Sequence, residues 1–193
     1  MIQAVIIDCF GVLYRDPSLD FYEQHVPNYS EIRQDLLDND TRFDRGFITN
    51  EQHSAYVADL TGLDLQFVLD NIRGEHVRND SLLEFSQSLR PTYRLGMLSN
   101  IGRGGMEPFF STSQQSDLFD AVVLSNEVGV SKPDVRIYEI IAERLGVDTA
   151  VCVMVDDRAE NIDGAVAAGM QGVLYQTNEQ AIRDLAQLEV YPK

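Results

Sequence analysis

Six side chains with reactive or anion-binding groups stand close to apolar runs of the chain. They are Asp8, Ser99, Asn100, Lys132, Asp156 and Asp157. Together they offer a carboxylate that can act as a nucleophile, a hydroxyl, an amide, an ammonium and a pair of adjacent carboxylates. Such a set can do chemistry only if the fold brings its members to one place.

Each of these residues also has an ordinary structural explanation. Asp157 and Glu160 fit a helix capping box, and Lys132-Pro133 fits the start of a helix with proline in its first turn. Ser99–Asn100 could be plain turn residues. The order and spacing of the whole set favour a functional site over these separate explanations.

Short apolar runs predict the strands that would position this set. The runs are Gln3–Ile7, Arg94–Leu98, Ala121–Leu124, Ala150–Val155 and Gly172–Tyr175. Most are continuous rather than alternating, which is typical of parallel strands covered on both faces. Helical patterns separate the later runs, at Val135–Leu145, Ala159–Ala168 and Glu179–Leu188. The alternation predicts an α/β fold with a doubly wound parallel sheet, whose carboxyl-end edge would gather the candidate residues.

Residues 15–80 interrupt this alternation. Apolar residues recur there at helical spacing, in Ile32–Leu37, Glu51–Leu60 and Leu65–Ile72. We predict a small helical cap at 15–80, inserted into an α/β core made of residues 1–14 and 81–193. The alternative is a set of ordinary connecting helices packed on the sheet. A cap would lie over the carboxyl ends of the strands, where open α/β sheets bind ligands.

Four sequence motifs carry a resemblance to a known family. They are IIDCFGVLY, MLSN, SKPDVRIY and MVDDRAENIDGAVAAGM, in that order. Over nearly its whole length the chain resembles the haloacid dehalogenase (HAD) superfamily of hydrolases, in the subfamily with a small cap between the first two motifs. The stretch FDRGFIT at 43–49 is similar to a cap segment of sugar-phosphate phosphatase relatives.

The resemblance implies a role for each candidate residue. Asp8 would attack phosphorus and form an aspartyl-phosphate, and Lys132 would place a positive charge between the two anions. The substrate-binding residues would be Ser99, Asn100, Lys132 and Arg45, with Ser99 also catalytic. The ligands of a Mg²⁺ cofactor would be Asp8, the backbone carbonyl of Phe10, Asp156 and Asp157. Asn161 could orient the Asp156–Asp157 pair by hydrogen bonding.

Phe10 departs from the family's pattern. Most phosphatases of this family carry a second aspartate here, which protonates the leaving oxygen and later activates water. A positioned acid or base contributes about 10²–10⁴-fold to the rate. Phe10 keeps its backbone carbonyl, so metal binding survives the change. A phosphatase at this site would favour substrates with good leaving groups, such as sugar 1-phosphates or acyl phosphates.

Two other functions stay open at this stage. The 2-haloacid dehalogenases have an aromatic residue at the position of Phe10, but they use no metal and lack the acidic pair seen at Asp156 and Asp157. A catalytically weak protein that keeps the fold and serves as a binding or regulatory partner is the third possibility. Phe10 is its only support in the sequence.

The composition limits the range of partners. The formal net charge of −16 and a pI near 4.4 argue against nucleic acid or an anionic membrane surface. The chain's start lacks the basic region of a signal peptide, and no stretch reaches the length of a membrane span. We expect a cytoplasmic monomer or small homo-oligomer that acts on a small phosphorylated metabolite, with Cys9 and Cys152 reduced.

Several other residues in or near the predicted cap could touch substrate. Three histidines, His25, His53 and His76, are expected to be scattered on the surface or half-buried. Tyr14 and Arg15 are more consistent with a hinge than with substrate contacts. The resemblance also implies that Asp44 and Arg45 belong to a loop that faces the active site. The GRGG run at 102–105 is expected to be a flexible connection.

Overall fold

A computed structural model describes residues 1–15, 17–72, 74, 77–102 and 105–192. Its strands are β1 (Ala4–Ile7), β2 (Arg94–Ser99), β3 (Ala121–Leu124), β4 (Cys152–Asp156) and β5 (Gln171–Leu174). Its helices are α1 (Pro17–His25), α2 (Tyr29–Asp44), α3 (Asn50–Thr61), α4 (Leu65–Asn71), α5 (Asp80–Leu89), α6 (Thr112–Leu118), α7 (Ser125–Val128), α8 (Val135–Leu145), α9 (Ala159–Ala167) and α10 (Asn178–Gln187).

The strands form one parallel sheet in the order β3-β2-β1-β4-β5. This confirms the predicted doubly wound α/β fold. Strand β1 is central, and its side chains alternate between the two faces: Val5 and Ile7 join one apolar cluster, while Ala4 and Ile6 join the other. Both faces are covered by helices, which explains why the strands are continuous apolar runs.

The helices between β1 and β2 have an apolar cluster of their own. It contains Phe21, Tyr22, Val26, Leu36, Val57, Ala58, Val68 and Ile72. Helix α3 packs against both α2 and α4. The sequence pattern located parts of α2, α3 and α4, but it did not predict α1, whose apolar residues are few.

Two of the ordinary structural explanations are wrong. Helix α8 begins at Val135 with Asp134 as its N-cap, so Lys132-Pro133 precedes the helix and is not its first turn. Helix α9 has Arg158 as its N-cap, with no side-chain capping bond, so Asp157 and Glu160 do not form a capping box. Glu160 pairs instead with the Arg158 guanidinium, at 2.6 Å.

No helix within the described residues is long and apolar enough to cross a lipid bilayer.

Candidate active site

Asp8 lies immediately after the central strand β1. Its backbone amide donates to the carbonyl of Val155 on β4, at 3.0 Å. Its carboxylate oxygen Oδ1 accepts a hydrogen bond from the amide of Cys9 at 2.7 Å, and the residue is only 5% exposed. The sheet thus holds the candidate nucleophile rigidly at the middle of its carboxyl-end edge.

Lys132 connects Asp8 with the acidic pair. Its Nζ lies 2.7 Å from Asp8 Oδ1 and 2.6 Å from Asp156 Oδ2, and its side chain is buried. The loop that carries it is fixed by Asn100, whose side-chain oxygen accepts from the Lys132 amide at 2.9 Å and whose Nδ2 donates to the Lys132 carbonyl at 3.0 Å. Asn100 therefore positions Lys132, besides lining the cavity described below.

Asp156 is the last residue of β4 and is completely buried. Its Oδ1 accepts hydrogen bonds from the Arg158 amide and from Asn161 Nδ2, both at 2.9 Å. The hydrogen bond predicted for Asn161 is present. Because Lys132 holds Oδ2, both oxygens of Asp156 are bound by the protein.

Asp157 packs against the turn that follows Asp8. A Cβ atom at Gly11 would lie 2.3 Å from Asp157 Oδ2, so only glycine leaves room for this carboxylate, and Gly11 has a positive φ of 85°. Asp8, Asp156 and Asp157 each offer an oxygen within 4.8 Å of the others. Three hard oxygen donors this close together form a donor set that suits Mg²⁺.

Burial and like charges shape the electrostatics of the site. Burial raises the pKa of Asp8, and the charges of Asp156 and Asp157 add to this while Lys132 opposes it. Burial alone would lower the pKa of Lys132, but Asp156 and Asp8 raise it above its usual range. Burial opposes the ionisation of Asp156, yet Lys132 and the hydrogen bonds from Arg158 and Asn161 lower its pKa. Lys132 therefore places a fixed positive charge between Asp8 and Asp156.

Phe10 places an aromatic ring beside Asp8 where the family's pattern has an acid. Its ring meets that of Phe109 edge to face, with centroids 4.7 Å apart. The backbone hydrogen bonds of this turn join Tyr14 to Cys9 and to Gly11, on either side of Phe10. No backbone amide of the described residues donates to the Phe10 carbonyl.

Ser99 and Arg45 lie close to the site, and their side chains bind neighbouring loops. Ser99 ends β2 and is completely buried; its hydroxyl donates a long hydrogen bond, 3.4 Å, to the Asn100 carbonyl. Arg45 reaches from the end of α2 to the loop before Lys132, where its Nε donates to Ser131 Oγ at 2.7 Å. Neither residue is part of the wall of the cavity within the described residues.

A cavity of about 230 Å³ connects this edge of the sheet with the helices α1, α2 and α3. Its strand-side wall includes Asp8, Phe10, Asn100, Lys132, Asp157, Arg158 and Asn161, with Ile101, Gly105 and Phe109. Its helix-side wall includes Ser18, Tyr22, Tyr29, Arg33, Leu37, Asp40, Phe43, Asp44, Asn50, His53 and Ile72. Asp44 therefore lines the site, as the family resemblance implies.

The end of α2 contacts the strand-edge loops at several points. Ser125 Oγ donates to the carbonyl of Asp44. The Phe43 ring lies where a side chain at Gly102 would be, 2.3 Å from an added Cβ. The described glycines of the GRGG run thus have defined contacts: Gly102 with Phe43, and Gly105 in the cavity wall. Arg103 and Gly104 lie outside the described residues.

The expectation for the histidines is wrong for His53. It is 4% exposed, and its Nε2 lies 2.7 Å from Asp40 Oδ1. Helix α3 turns it inward, towards the cavity and away from solvent. His25 is half-buried against the rings of Phe21 and Phe67, and His76 lies outside the described residues.

The contacts of Tyr14 and Arg15 do not test the hinge predicted there, which stays a prediction. Tyr14 is buried, and its hydroxyl donates to the Phe109 carbonyl at 2.9 Å. Arg15 forms an exposed ion pair with Asp20. Tyr14 does not line the cavity. No sequence pattern pointed to Phe109, Tyr22, Tyr29 or Asp40, because they lie outside every motif.

The chain is similar to known proteins in its sequence and in its fold. Residues 2–169 match the model of haloacid dehalogenase-like hydrolases. Phosphatase MT3486 of Mycobacterium tuberculosis is 45% identical over 76 residues, which are 37% of this chain and 35% of that protein. The chain thus matches only about a third of the length of this curated relative.

Two solved structures share the fold. A HAD family enzyme of Bacteroides thetaiotaomicron, in complex with magnesium and inorganic phosphate, has a TM-score of 0.70 at 22% identity, over 92% of this chain and 96% of that one. An L-2-haloacid dehalogenase of Xanthobacter autotrophicus has a TM-score of 0.67 at 24% identity, over 100% and 85% of the two chains. The fold alone therefore does not separate an enzyme that binds magnesium and phosphate from a dehalogenase.

Proposed function

Because the chain belongs to the haloacid dehalogenase-like hydrolase family, we propose that it is a Mg²⁺-dependent phosphatase of small phosphorylated metabolites. The observation that carries this proposal is the arrangement around Asp8. Lys132 lies 2.7 Å from its carboxylate, and two further carboxylates lie within 4.8 Å. The relative named as a phosphatase and the related structure with magnesium and phosphate support the same chemistry.

Asp8 is the nucleophile in this proposal. Its Oδ1 is bound by Lys132 and the Cys9 amide, while Oδ2 accepts no hydrogen bond from the described residues. We expect Oδ2 to form the bond to phosphorus as the bond to the leaving oxygen breaks, and that oxygen takes a proton from water. Water then cleaves the aspartyl-phosphate, which releases phosphate and restores Asp8.

Lys132 supports both steps without moving. Its ammonium is already aligned by Asp156 and by the Asn100 clamp, so no reorganisation is required when charge develops on the phosphoryl oxygens. Ser99 and Asn100 stay predicted phosphate-binding residues. Arg45 acts in this proposal through Ser131, on the loop that carries Lys132.

The donor set fits Mg²⁺ as the cofactor. Asp8 and Asp157 supply carboxylates, Asp156 keeps its remaining lone pairs, and the Phe10 carbonyl takes no backbone hydrogen bond from the described residues. When bound there, Mg²⁺ would neutralise negative charge on the transferring group. Gly11 keeps the Asp157 carboxylate in its place.

Phe10 restricts the choice of leaving group. The side chain at position 10 has no proton to give to a departing alkoxide, and the Tyr14 hydroxyl of the same turn donates to the Phe109 carbonyl instead. A phosphatase with this turn favours esters whose oxygen departs without much help, such as sugar 1-phosphates and acyl phosphates. Phosphoryl transfer depends mainly on positioning and charge stabilisation, so such esters can still react.

A panel of phosphomonoesters tests the proposal. The panel contains acetyl phosphate, several sugar 1-phosphates, p-nitrophenyl phosphate and a simple alkyl phosphate. We expect phosphate release that requires Mg²⁺, stops with EDTA and is lost in Asp8→Asn but not in Asp38→Asn, an exposed change on α2. Absence of Mg²⁺-dependent turnover on every ester would contradict the proposal.

The same protein preparation separates the two alternatives. Chloride release from 2-chloropropionate without metal would establish a dehalogenase, although the buried carboxylates next to Asp8 disfavour a metal-free site because they raise its pKa. A biological effect that survives Asp8→Asn would favour a binding or regulatory protein.

The two cysteines bear on where such an enzyme would work. Cys9 and Cys152 are buried free thiols on or beside neighbouring strands. We infer a reducing compartment such as the cytoplasm, and a monomer or small homo-oligomer.

A further inference from the structure

The helix-side wall of the cavity holds a group of polar side chains across from the strand edge that carries Asp8. We call Tyr22, Tyr29, Asp40 and His53 the distal cluster. All four line the same cavity as Asp8 and Lys132. A phosphoester whose phosphate lies at Asp8 would therefore extend its organic group towards these side chains.

Asp40 is the charged centre of the distal cluster. Its Oδ1 accepts from the Tyr22 hydroxyl at 2.8 Å and lies 2.7 Å from His53 Nε2. Its second oxygen, Oδ2, takes no hydrogen bond from any residue that the structure describes. Asn39 Nδ2 donates to the His53 carbonyl at 3.2 Å and fixes α3 against α2. Asp40 is thus held in place through Oδ1, while Oδ2 can accept a hydrogen bond from a bound molecule.

Tyr29 supplies a second unused polar atom. Its ring stacks on that of Tyr22, with centroids 5.8 Å apart and an interplanar angle of 24°. Its hydroxyl is buried and has no hydrogen-bond partner among the described residues. Leaving a buried hydroxyl unpaired is costly, so a bound group that pairs with it gains more than an exposed contact would give.

Resting on the proposed phosphatase function, we propose that Asp40 and Tyr29 select phosphomonoesters whose organic group carries a hydroxyl at the end away from the phosphate. The hydroxyl donates to Asp40 Oδ2 or pairs with the Tyr29 hydroxyl. The rings of Phe10 and Phe109 offer apolar contact to the carbon skeleton in between. A wholly apolar organic group would cover both oxygens without pairing them.

The cavity that joins Asp8 to the distal cluster has a volume of about 230 Å³. This is enough for one small ring beside a phosphate group.

Binding measured without turnover tests this inference. In the Asp8→Asn background with Mg²⁺, titration calorimetry would compare three hexose 1-phosphates with cyclohexyl phosphate, which has the ring but no hydroxyls. We expect the hydroxylated ring with the highest affinity to bind at least about tenfold more tightly than cyclohexyl phosphate. The affinity ratio is the affinity for that hexose 1-phosphate divided by the affinity for cyclohexyl phosphate. Adding Asp40→Asn or Tyr29→Phe should lower this affinity ratio by about fivefold or more.

Matched controls make the outcome decisive. Asp38→Asn, two residues from Asp40 on the exposed side of α2, and Tyr56→Phe on α3 should leave the affinity ratio unchanged. Tyr29→Phe removes an unpaired oxygen, so its free energy of unfolding should stay the same or rise. Cyclohexyl phosphate binding as tightly as the sugars, or a ratio unaffected by both variants, would overturn the inference. So would the absence of binding by every ester.

The two proposals can fail separately. If the wild-type protein hydrolyses no phosphoester but the affinity ratio behaves as stated, the phosphatase function is wrong and the distal cluster still selects hydroxylated phosphates. If hydrolysis depends on Mg²⁺ and Asp8 while the ratio is unaffected by Asp40→Asn and Tyr29→Phe, the phosphatase function stands and the selection does not.

Discussion

The Nζ atom of Lys132 lies 2.7 Å from Oδ1 of Asp8, and both side chains are almost completely removed from solvent. Such a buried pair is mutually dependent, because either charge alone would be expensive to bury. In this site one ammonium serves Asp8 and Asp156 together. The same contact therefore supports the fold and prepares the nucleophile.

Replacing Lys132 by methionine should damage both stability and catalysis. The change leaves two buried carboxylates without their cation, so we expect the free energy of unfolding to fall by about 3–5 kcal/mol. Urea denaturation in EDTA measures this, and phosphate release should fall below detection. Arg136→Met removes the exposed ion pair with Asp134 and should change the free energy of unfolding far less than Lys132→Met does, because solvent screens an exposed pair. Equal effects of the two changes would contradict the role assigned to Lys132.

Replacing Gly11 by alanine tests the position of Asp157. The positive φ alone should cost about 1–2 kcal/mol, and the added methyl group would collide with the Asp157 carboxylate. Gly62→Ala is the matched control, because Gly62 has a φ of 73° and open space around an added Cβ. We expect Gly11→Ala, but not Gly62→Ala, to weaken Mg²⁺ activation at least tenfold. Unchanged Mg²⁺ dependence in Gly11→Ala would remove Asp157 from the metal site.

Replacing Phe10 by aspartate should restore the missing proton donor. For simple alkyl phosphates we expect kcat/KM to rise, by up to about 10²-fold, the low end of what a positioned acid contributes. Phe10→Asn has a similar shape without an ionisable proton and should give no such rise. Loss of the Phe109 contact affects both variants alike. An equal result for Asp and Asn would show that protonation of the leaving group is not what this site lacks.

Asp134 provides a pH-dependent contribution to stability away from the site. Hydrogen bonds from the Arg136 guanidinium and amide lower its pKa to about 2. Since the folded pKa lies below the unfolded value of 3.8, this contribution is complete above pH 4 and disappears as the pH falls through 2. Asp134→Ala should lower the free energy of unfolding by about 1 kcal/mol at pH 7, and the difference from wild type should shrink steadily as the pH falls from 4 towards 2.

Asp134→Asn is the control for the loss of the helix cap. Asparagine is also a good N-cap residue, so its cost at pH 7 should be smaller than that of alanine. Denaturation curves between pH 2 and 7 measure both. A difference between alanine and wild type that did not change with pH would contradict the lowered pKa.

The sheet and its edge were predictable because their signals are local. Each strand has four to six residues, most of them apolar, and Asp8 and Asp157 directly follow two of these strands. The predicted bounds of α8 agree with the structure because Asp134 and Gly146 mark its two ends. Parallel pairing then brings residues far apart in the chain to one edge.

The helix-side wall was not predictable for the opposite reason. Asp40 and His53 meet through packing between α2 and α3, and no local pattern of the sequence specifies that contact. Tyr29 is the first residue of α2, whereas the apolar residues at helical spacing begin only at Ile32. The pattern therefore did not place Tyr29 on a helix. The burial of Ser99 and the bond from Arg45 to Ser131 likewise depend on tertiary contacts.

The most direct test of the account is chemical trapping of the intermediate on Asp8. Protein that is turning over acetyl phosphate with Mg²⁺ would be quenched and reduced with borohydride, which converts an aspartyl-phosphate to homoserine. We predict homoserine at position 8 by peptide mass spectrometry, lost on addition of EDTA and in Asp8→Asn. Turnover with no modification at Asp8, or with the modification at another residue, would contradict the central claim.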